Sequence, residues 1–249
     1  IRHRSRDFRP PWGLRHLRAP VSGKRPVAAV RPSRTGTTLG PPCGGAAIMT
    51  EQPVQWWLVR HAPTVNPEKA VYGSLDLDIE MPSAPVFDAL SDLLPADPAW
   101  MVSNLSRTRK TLQGILDSRG ILAAEIHEEP HFAEQHFGEW EGRPSADVWA
   151  EIREEEKTWP ADIRPPGGET FSEVAARVRG AALNWTEKIG ERPIVAVIHS
   201  GSIRGFLATA MGDAPLEALT YSVETLSVTR CDCFGPDQWR VGFVNRLAT

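Results

Sequence analysis

Apolar and polar residues follow two different patterns along most of this chain. Short and almost uninterrupted apolar runs, as at 54–59 and 193–198, are typical of strands buried on both faces of a sheet. Longer segments, such as 169–189, repeat apolar residues every three or four positions and therefore indicate amphipathic helices. The pattern predicts strands at 54–59, 99–103, 122–127, 193–198, 222–231 and 238–246, and helices at 84–94, 106–118, 144–156, 169–189 and 202–211.

Strands that alternate with helices predict an α/β fold. Because parallel strands need crossover connections, we expect a three-layer arrangement, in which a mostly parallel sheet has helices on both faces. The last two strands are joined by Gly235-Pro236-Asp237, which has the composition of a turn and predicts an antiparallel edge. No internal repeat is visible, so we interpret residues 49–249 as one domain.

The first 48 residues differ from the rest in composition and charge. They hold ten Lys/Arg and one acid out of 28 and 31 in the whole chain, which leaves 18 and 30 for residues 49–249. This basic segment is rich in Pro, Arg and Gly and lacks periodicity, so we expect it to be disordered. Met49 directly precedes the first strand, and we expect it to be the natural start, with residues 1–48 not natively translated. The alternative is a basic targeting or nucleic-acid-binding arm.

The composition of residues 49–249 excludes several classes of protein. An excess of twelve acidic residues argues against nucleic acid as a partner. No apolar stretch reaches membrane-spanning length, so we expect a cytoplasmic protein that makes no membrane contact. The three cysteines, Cys43, Cys231 and Cys233, form neither a disulfide framework nor a zinc-binding spacing, which favours buried thiols in a reducing compartment.

Arg60 and His61 stand where the first apolar run ends. The carboxyl end of a strand is the usual place for ligands in α/β sheets. A guanidinium group offers a fork of donors that suits phosphate, and a neutral imidazole can attack phosphorus. His199 ends the buried run at 193–198 in the same way. In a parallel sheet two such ends can lie side by side, so the sequence predicts a phosphate site shared by these residues.

Five ordered segments carry a resemblance to a known family: Arg60-His61, Ser-Asn-Leu-Ser-Arg-Thr at 103–108, the loop 134–142, Pro-Gly-Gly-Glu-Thr at 166–170, and the strand and helix start at 194–204. This set resembles the histidine phosphatase superfamily, also called phosphoglycerate-mutase-like, over roughly residues 54–248. The resemblance implies a phosphatase that needs neither metal nor cofactor.

The family also implies a role for each candidate residue. His61 would attack phosphorus and become a phosphohistidine, which water then hydrolyses. The other candidates would bind the phosphate through side-chain or backbone donors: Arg60, Arg107, His199, Gly201 and Asn66. Asn66 stands one position before the place where the family's asparagine usually falls. His131 and His136 lack the register of a metal site, so no metal ligand is assigned.

The same resemblance implies that Glu134, four residues before Gly138, is the general acid. Glu139 and Glu141 are close competitors, although we expect Glu141 to be structural, and Glu129 is a weaker one.

Two further residues near these motifs have open roles. Glu169 is either a first-turn cap of its helix or a site residue. Arg204 matches the last arginine of the family's motif, and we expect it to be structural.

Only 24 residues separate Gly142 from Gly167. Cofactor-dependent phosphoglycerate mutases carry a much longer insertion there, so the short segment favours hydrolysis. Arg-His-Ala-Pro-Thr together with Pro-Gly-Gly-Glu is similar to the bacterial alpha-ribazole phosphatase-like group. We therefore expect a phosphomonoesterase for a small phosphorylated metabolite. A phosphoglycerate mutase-type phosphotransferase and a non-catalytic phospho-ligand binder are the alternatives, and a homodimer is left open.

Overall fold

The computed structural model describes residues 52–122, 124–155 and 160–248, and for 153–155 the backbone alone. Residues 1–48 and Met49 lie outside these ranges. The expectations about disorder, about the natural start and about the domain boundary therefore concern residues that the structure does not describe. The strands are β1 (Val54–Arg60), β2 (Ala99–Val102), β3 (Ile126–Glu128), β4 (Ile194–Ile198), β5 (Val228–Gly235) and β6 (Gln238–Arg246). The helices are α1 (Ala84–Asp92), α2 (Ser106–Ser118), α3 (Ser145–Glu155), α4 (Phe171–Ile189), α5 (Ser200–Ala210) and α6 (Pro215–Ala218), with 3₁₀ turns at Pro130–Phe132, Gly138–Trp140 and Pro160–Asp162.

The described strands form one mixed sheet in the order β3-β2-β4-β1-β5-β6. The first four are mutually parallel, whereas β5 runs antiparallel to β1, and β6 antiparallel to β5. The predicted α/β fold with an antiparallel edge is confirmed. Arg60 pairs with Ile198 between the neighbouring strands β1 and β4. The next residues, His61 and His199, therefore leave the sheet at the same edge.

Two hydrophobic clusters cover the two faces of the sheet. Ile194, Ala196 and Ile198 point into a cluster with α4 and α5, and the intervening Val195 and Val197 point into a cluster with α1 and α2. All five residues of β4 are fully buried, because helices lie on both sides of it. This explains why its sequence is an unbroken apolar run, and it confirms the three layers.

Residues 222–227 form an irregular loop before β5, although the pattern assigned them to a strand. The backbone carbonyls of Tyr221 and Val223 accept hydrogen bonds from Arg204 and Arg60, so they do not pair with a strand. These arginines belong to α5 and β1, which are distant in the sequence. The local pattern of apolar residues at 222–227 could not predict these hydrogen bonds.

The helix boundaries also differ from the predictions in ways that affect the site. α4 begins after Thr170, which makes a capping box with Glu173, so Glu169 is not the cap. α5 begins at Ser200, two residues early, and His199 is its N-cap residue. In the described ranges, no helix has both the length and the apolar character that a bilayer crossing requires.

The contact between α1 and α2 predicts an unusual response to a glycine-to-alanine change. Alanine favours a helix over glycine by about 1 kcal/mol, but a Cβ atom on Gly114 of α2 would lie 2.3 Å from the buried ring of Phe87. Overpacking of a core typically costs about 1–3 kcal/mol. We expect Gly114→Ala to lower the free energy of unfolding, measured by urea denaturation, by up to about 2 kcal/mol once the helix gain is subtracted.

Gly180→Ala is the matched control. Gly180 is also in a helix, and nothing lies within 4 Å of its added Cβ atom, so this variant should gain about 0.5–1 kcal/mol. A similar gain in Gly114→Ala would show that the two helices are not closely packed.

Candidate active site

His61 lies directly after β1, and only 1% of its surface is exposed. Its Nδ1 atom is 2.7 Å from the carbonyl oxygen of Ala62. Because a carbonyl only accepts, Nδ1 carries the proton and Nε2 keeps its lone pair. In the described part of the chain this buried Nε2 atom has no hydrogen-bond partner.

Burial and two positive charges keep His61 neutral. Desolvation is the largest cause, followed by the charges of Arg107 and Arg60, and together they lower the pKa of His61 from 6.5 to about 3. The imidazole is therefore unprotonated at neutral pH, which is the form that can act as a nucleophile.

His199 lies beside His61, with 5.1 Å between the ring centroids, so the predicted meeting of the two strand ends is confirmed. Its Nδ1 atom accepts a hydrogen bond from Nε of Arg107 (3.2 Å), so Nε2 is the protonated nitrogen and donates to Oγ of Ser103 (2.7 Å). Burial above all, and then neighbouring positive charge, holds the pKa of His199 well below its usual range. Both imidazoles are thus neutral.

Arg107 is completely buried. Besides His199, its guanidinium donates to the backbone oxygens of Leu75 (2.7 Å) and Gly73 (2.6 Å). Three of the five N–H groups of an arginine are used in this way, which leaves two for a ligand. Every acceptor is neutral, so the charge of this group is not balanced by a bonded carboxylate. Burial is the main cause that lowers the pKa of Arg107.

Arg60 is half-buried and donates through Nη1 to the carbonyl oxygen of Val223. Its Nε atom is buried without a partner in the described residues. Its charge acts on both histidines and lowers their pKa values. The two arginines and two histidines that the sequence predicted to meet therefore do meet, and their role in phosphate binding stays a prediction.

Glu134 lies in the loop between the 3₁₀ turns at Pro130–Phe132 and Gly138–Trp140, and its side chain reaches the start of α5. Oε1 accepts from the backbone N–H of Gly201 (3.0 Å), and Oε2 accepts from Oγ of Ser200 (3.1 Å). A Cβ atom at Gly201 would lie 2.1 Å from Oε1, so this approach requires glycine. The Gly201 N–H at the N-terminus of α5 thus bonds a carboxylate, and its expected role as a donor to phosphate stays a prediction.

The competing glutamates have other partners. Glu141 accepts from Ser74 and from the backbone of Phe137, which agrees with the structural role that we expected. Glu129 accepts from Trp185, and Glu139 is exposed. Glu134 is therefore the one of the four whose carboxylate contacts the residues next to His199.

Asn66 and Arg204 make contacts that point to structural roles. Both ends of the Asn66 amide bond Ala70, with distances of 2.9 and 3.0 Å, so this side chain closes its own loop. A contact with phosphate would require it to break these bonds. Arg204 holds the carbonyl of Tyr221 at 3.0 Å.

Sequence reasoning gave no role to Ser103 and Thr111. Ser103 directly follows β2 and accepts from His199, and Thr111 accepts from the N–H of Ala62 through Oγ1 (2.9 Å). Thr111 follows Arg107 by four residues, so both project from one face of α2, a spacing that could have revealed it.

Metal binding finds no support in the donor groups. In the described ranges, no three His, Cys, Asp or Glu side chains come together in a way that could hold a metal ion. His131 bonds Glu129, and His136 is exposed.

Solved structures with this fold include phosphatases. A mycobacterial glucosyl-3-phosphoglycerate phosphatase aligns with a TM-score of 0.66 and 23% identity, over 78% of this chain and 100% of its own. The alpha-ribazole phosphatase from Shigella flexneri aligns with a TM-score of 0.65 and 22% identity, over 79% and 99%. At these identities the likeness shows a shared fold.

Curated relatives include the 2,3-bisphosphoglycerate-dependent phosphoglycerate mutases of Brucella melitensis and Brucella canis. Both are 29% identical to this chain over 128 residues, which is 49% of this chain. The match spans 62% of the relatives' own length, which is less than two thirds.

A model of the histidine phosphatase superfamily (branch 1) matches residues 56–246. This range contains Arg60, His61, Arg107, Glu134 and His199. Because the match covers far more than half of the sequence, and because the two histidines and two arginines meet at one edge of the sheet, this chain belongs to the histidine phosphatase superfamily.

Proposed function

We propose that this protein is a phosphomonoesterase that hydrolyses a small phosphorylated metabolite through a phosphohistidine on His61. The observation that carries the proposal is the Nε2 atom of His61, which is unprotonated, buried and, among the described residues, without a partner beside the charges of Arg107 and Arg60. Leaving a buried polar atom without a partner costs free energy, and such atoms call for a functional explanation. A phosphorus atom approaching Nε2 would be that partner.

In the first half-reaction the lone pair of His61 Nε2 forms a bond to phosphorus. The bond between phosphorus and the leaving oxygen breaks, and protonated Glu134 gives its proton to that oxygen. In the second half-reaction Glu134, now ionised, takes a proton from water while the water oxygen attacks phosphorus. The P–N bond breaks, inorganic phosphate leaves, and His61 returns to its neutral form.

Arg60 and Arg107 would bind the equatorial oxygens during both steps, and His199 would join them once its N–H turns from Ser103 to the phosphate. The guanidinium charges stabilise the negative charge on the transferring group, and they are already in position before substrate arrives. Glu134 has to release the Gly201 N–H when it turns to the leaving oxygen, and that N–H then becomes a further donor to phosphate. No step requires a metal ion, so activity should persist with EDTA present.

The substrate is proposed from the similar phosphatases and the sequence motifs. Alpha-ribazole phosphate is the first candidate, and glucosyl-3-phosphoglycerate is the second. A mutase-type phosphotransferase is the alternative favoured by the curated relatives. It would need a bisphosphate primer and would release little phosphate. A phospho-ligand binder without catalysis would bind phosphate and release none. Phosphate release by residues 49–249 across a panel of phosphomonoesters separates the three.

Replacement of His61 by alanine should abolish phosphate release. The nucleophile forms the covalent intermediate, so we expect kcat to fall by at least about a thousandfold. Quenching the wild-type protein in alkali during turnover of a radiolabelled substrate should trap base-stable, acid-labile label, and His61→Ala should trap none. His127→Gln, on β3, is the control and should keep full activity. Activity of His61→Ala within tenfold of wild type would disprove the mechanism.

The change Glu134→Gln should act according to the leaving group. General acid catalysis contributes about 10²- to 10⁴-fold, so kcat for an alkyl phosphate should fall by about a hundredfold or more. A nitrophenyl ester has a leaving group that needs no proton, and its phosphorylation step should change little. The test measures kcat of both substrates under conditions where phosphorylation of the enzyme limits the rate. An equal loss for both would mean that Glu134 is not the acid.

The two neutral histidines should make the protein sensitive to acid. An unfolded histidine takes up a proton near pH 6.5, whereas folded His61 does so only near pH 3. Stability is therefore complete above pH 6.5 and is lost as the pH falls between these two values. At pH 5 the loss for His61 should be about 2 kcal/mol, measured by urea denaturation. Between pH 7.5 and pH 5 the free energy of unfolding of His61→Gln should fall by that much less than the wild-type value. An unchanged pH dependence in this variant would show that the pKa of His61 is similar in the folded and unfolded protein.

A further inference from the structure

An ion pair lies behind the loop that carries Glu134. Arg177 of α4 and Glu169, just before α4, face each other in a fork, with 3.0 Å from Nε to Oε2 and 2.9 Å from Nη2 to Oε1. Their side chains are 19% and 23% exposed. Two parallel hydrogen bonds fix the plane of the guanidinium and leave its outer edge free to bind other groups.

Arg177 uses that outer edge to hold the backbone of the loop. Nη1 donates to the carbonyl oxygen of His131, and Nη2 lies 3.3 Å from the carbonyl oxygen of Glu134. One planar group therefore contacts the general acid residue itself and a residue three positions before it.

Glu169 holds the other end of the same loop. Its Oε1 atom accepts from the backbone N–H of His136 (3.0 Å), and its backbone carbonyl accepts from the side chain of Gln135 (2.8 Å). Gly138 and Gly168 let the two backbones touch here, because a Cβ atom on Gly138 would lie 2.6 Å from the nitrogen of Gly168. The loop from 131 to 138 is thus fixed on both sides of Glu134.

We propose that Arg177 and Glu169 are positioning residues that hold the general acid at its working distance from the leaving oxygen. The inference rests on the proposed function, since it gives Glu134 the role of acid. Proton transfer requires the donor within hydrogen-bond reach, and a displacement of about 1 Å can cost about a hundredfold in rate. The loop from 131 to 138 would not keep that precision if it were anchored only at its ends, and the ion pair supplies anchors at 131, 134 and 136.

The proposal predicts that Arg177→Gln copies the leaving-group selectivity of Glu134→Gln. We expect kcat for an alkyl phosphate to fall by at least about tenfold, while phosphorylation of His61 by a nitrophenyl ester falls less than about threefold. A merely structural role would lower both rates together, and that result would overturn the proposal. Arg179→Gln is the matched control: this arginine of the same helix pairs with Asp213 and Asp237, and its loss should leave both rates unchanged.

Two further variants separate position from charge. Arg177→Lys keeps the positive charge but has no planar fork, so it should show the same selective loss. Recovery of full alkyl phosphatase activity in this variant would mean that the charge of Arg177 acts on the site directly. In the Glu134→Gln background, Arg177→Gln should cause no further loss, and an additive loss would contradict action through Glu134.

If Arg177→Gln does not fold, as judged by circular dichroism and thermal denaturation, then Glu169→Gln tests the same fork with little change of shape. It should show the same selectivity, and equal activity to wild type would overturn the proposal. Failure of the proposed function is distinguishable, because Glu134→Gln alone would then show no selectivity. If Glu134→Gln is selective and the Arg177 and Glu169 variants are not, only the positioning role is wrong.

Discussion

A fully buried guanidinium whose bonded partners are all neutral is the constraint on which this site depends. Arg107 donates to two backbone carbonyls and to the imidazole of His199. A buried positive charge without a bonded anion is costly in a medium of low dielectric constant, and a bound phosphate would remove that cost. The same charge disfavours protonation of His61 and His199. One residue thus creates the need for an anion and also keeps His61, the proposed nucleophile, in its neutral form.

Close approach of backbones brings Glu134, the proposed general acid, to the end of the sheet where Arg107 lies. The Cβ atom of any other residue at Gly138 would lie 2.0 Å from the carbonyl oxygen of Pro166, and at Gly201 it would overlap the carboxylate of Glu134. The glycines of the family motifs therefore have a steric explanation, since they allow a loop and a helix start to meet. Glu134 occupies the donor at the N-terminus of α5, so the carboxylate and a phosphate would use the same end of that helix.

Two buried polar atoms at the end of β1 lower the stability of the fold. The Nε atom of Arg60 and the Nε2 atom of His61 are buried without partners in the described residues, and each such atom costs about 1–3 kcal/mol. The hydrophobic clusters on both faces of the sheet supply the offsetting free energy. The unpaired atoms lie at the end of β1, next to the completely buried strand β4. Such local conflict is expected at functional sites.

The sequence by itself determined the layers of the fold and the residues that meet at its edge. Buried runs at β1 and β4 allow only central strands, and strands that are parallel neighbours bring His61 and His199 together. The contacts of Glu134 were decided by tertiary structure, because its carboxylate reaches Gly201 across 67 positions. Tertiary contacts also decided the conformation of the loop before β5, which Arg60 and Arg204 hold by hydrogen bonds. The local pattern had predicted a strand there. A periodic pattern records which side of an element is apolar, but a hydrogen bond between distant loops depends on where the packed sheet places them.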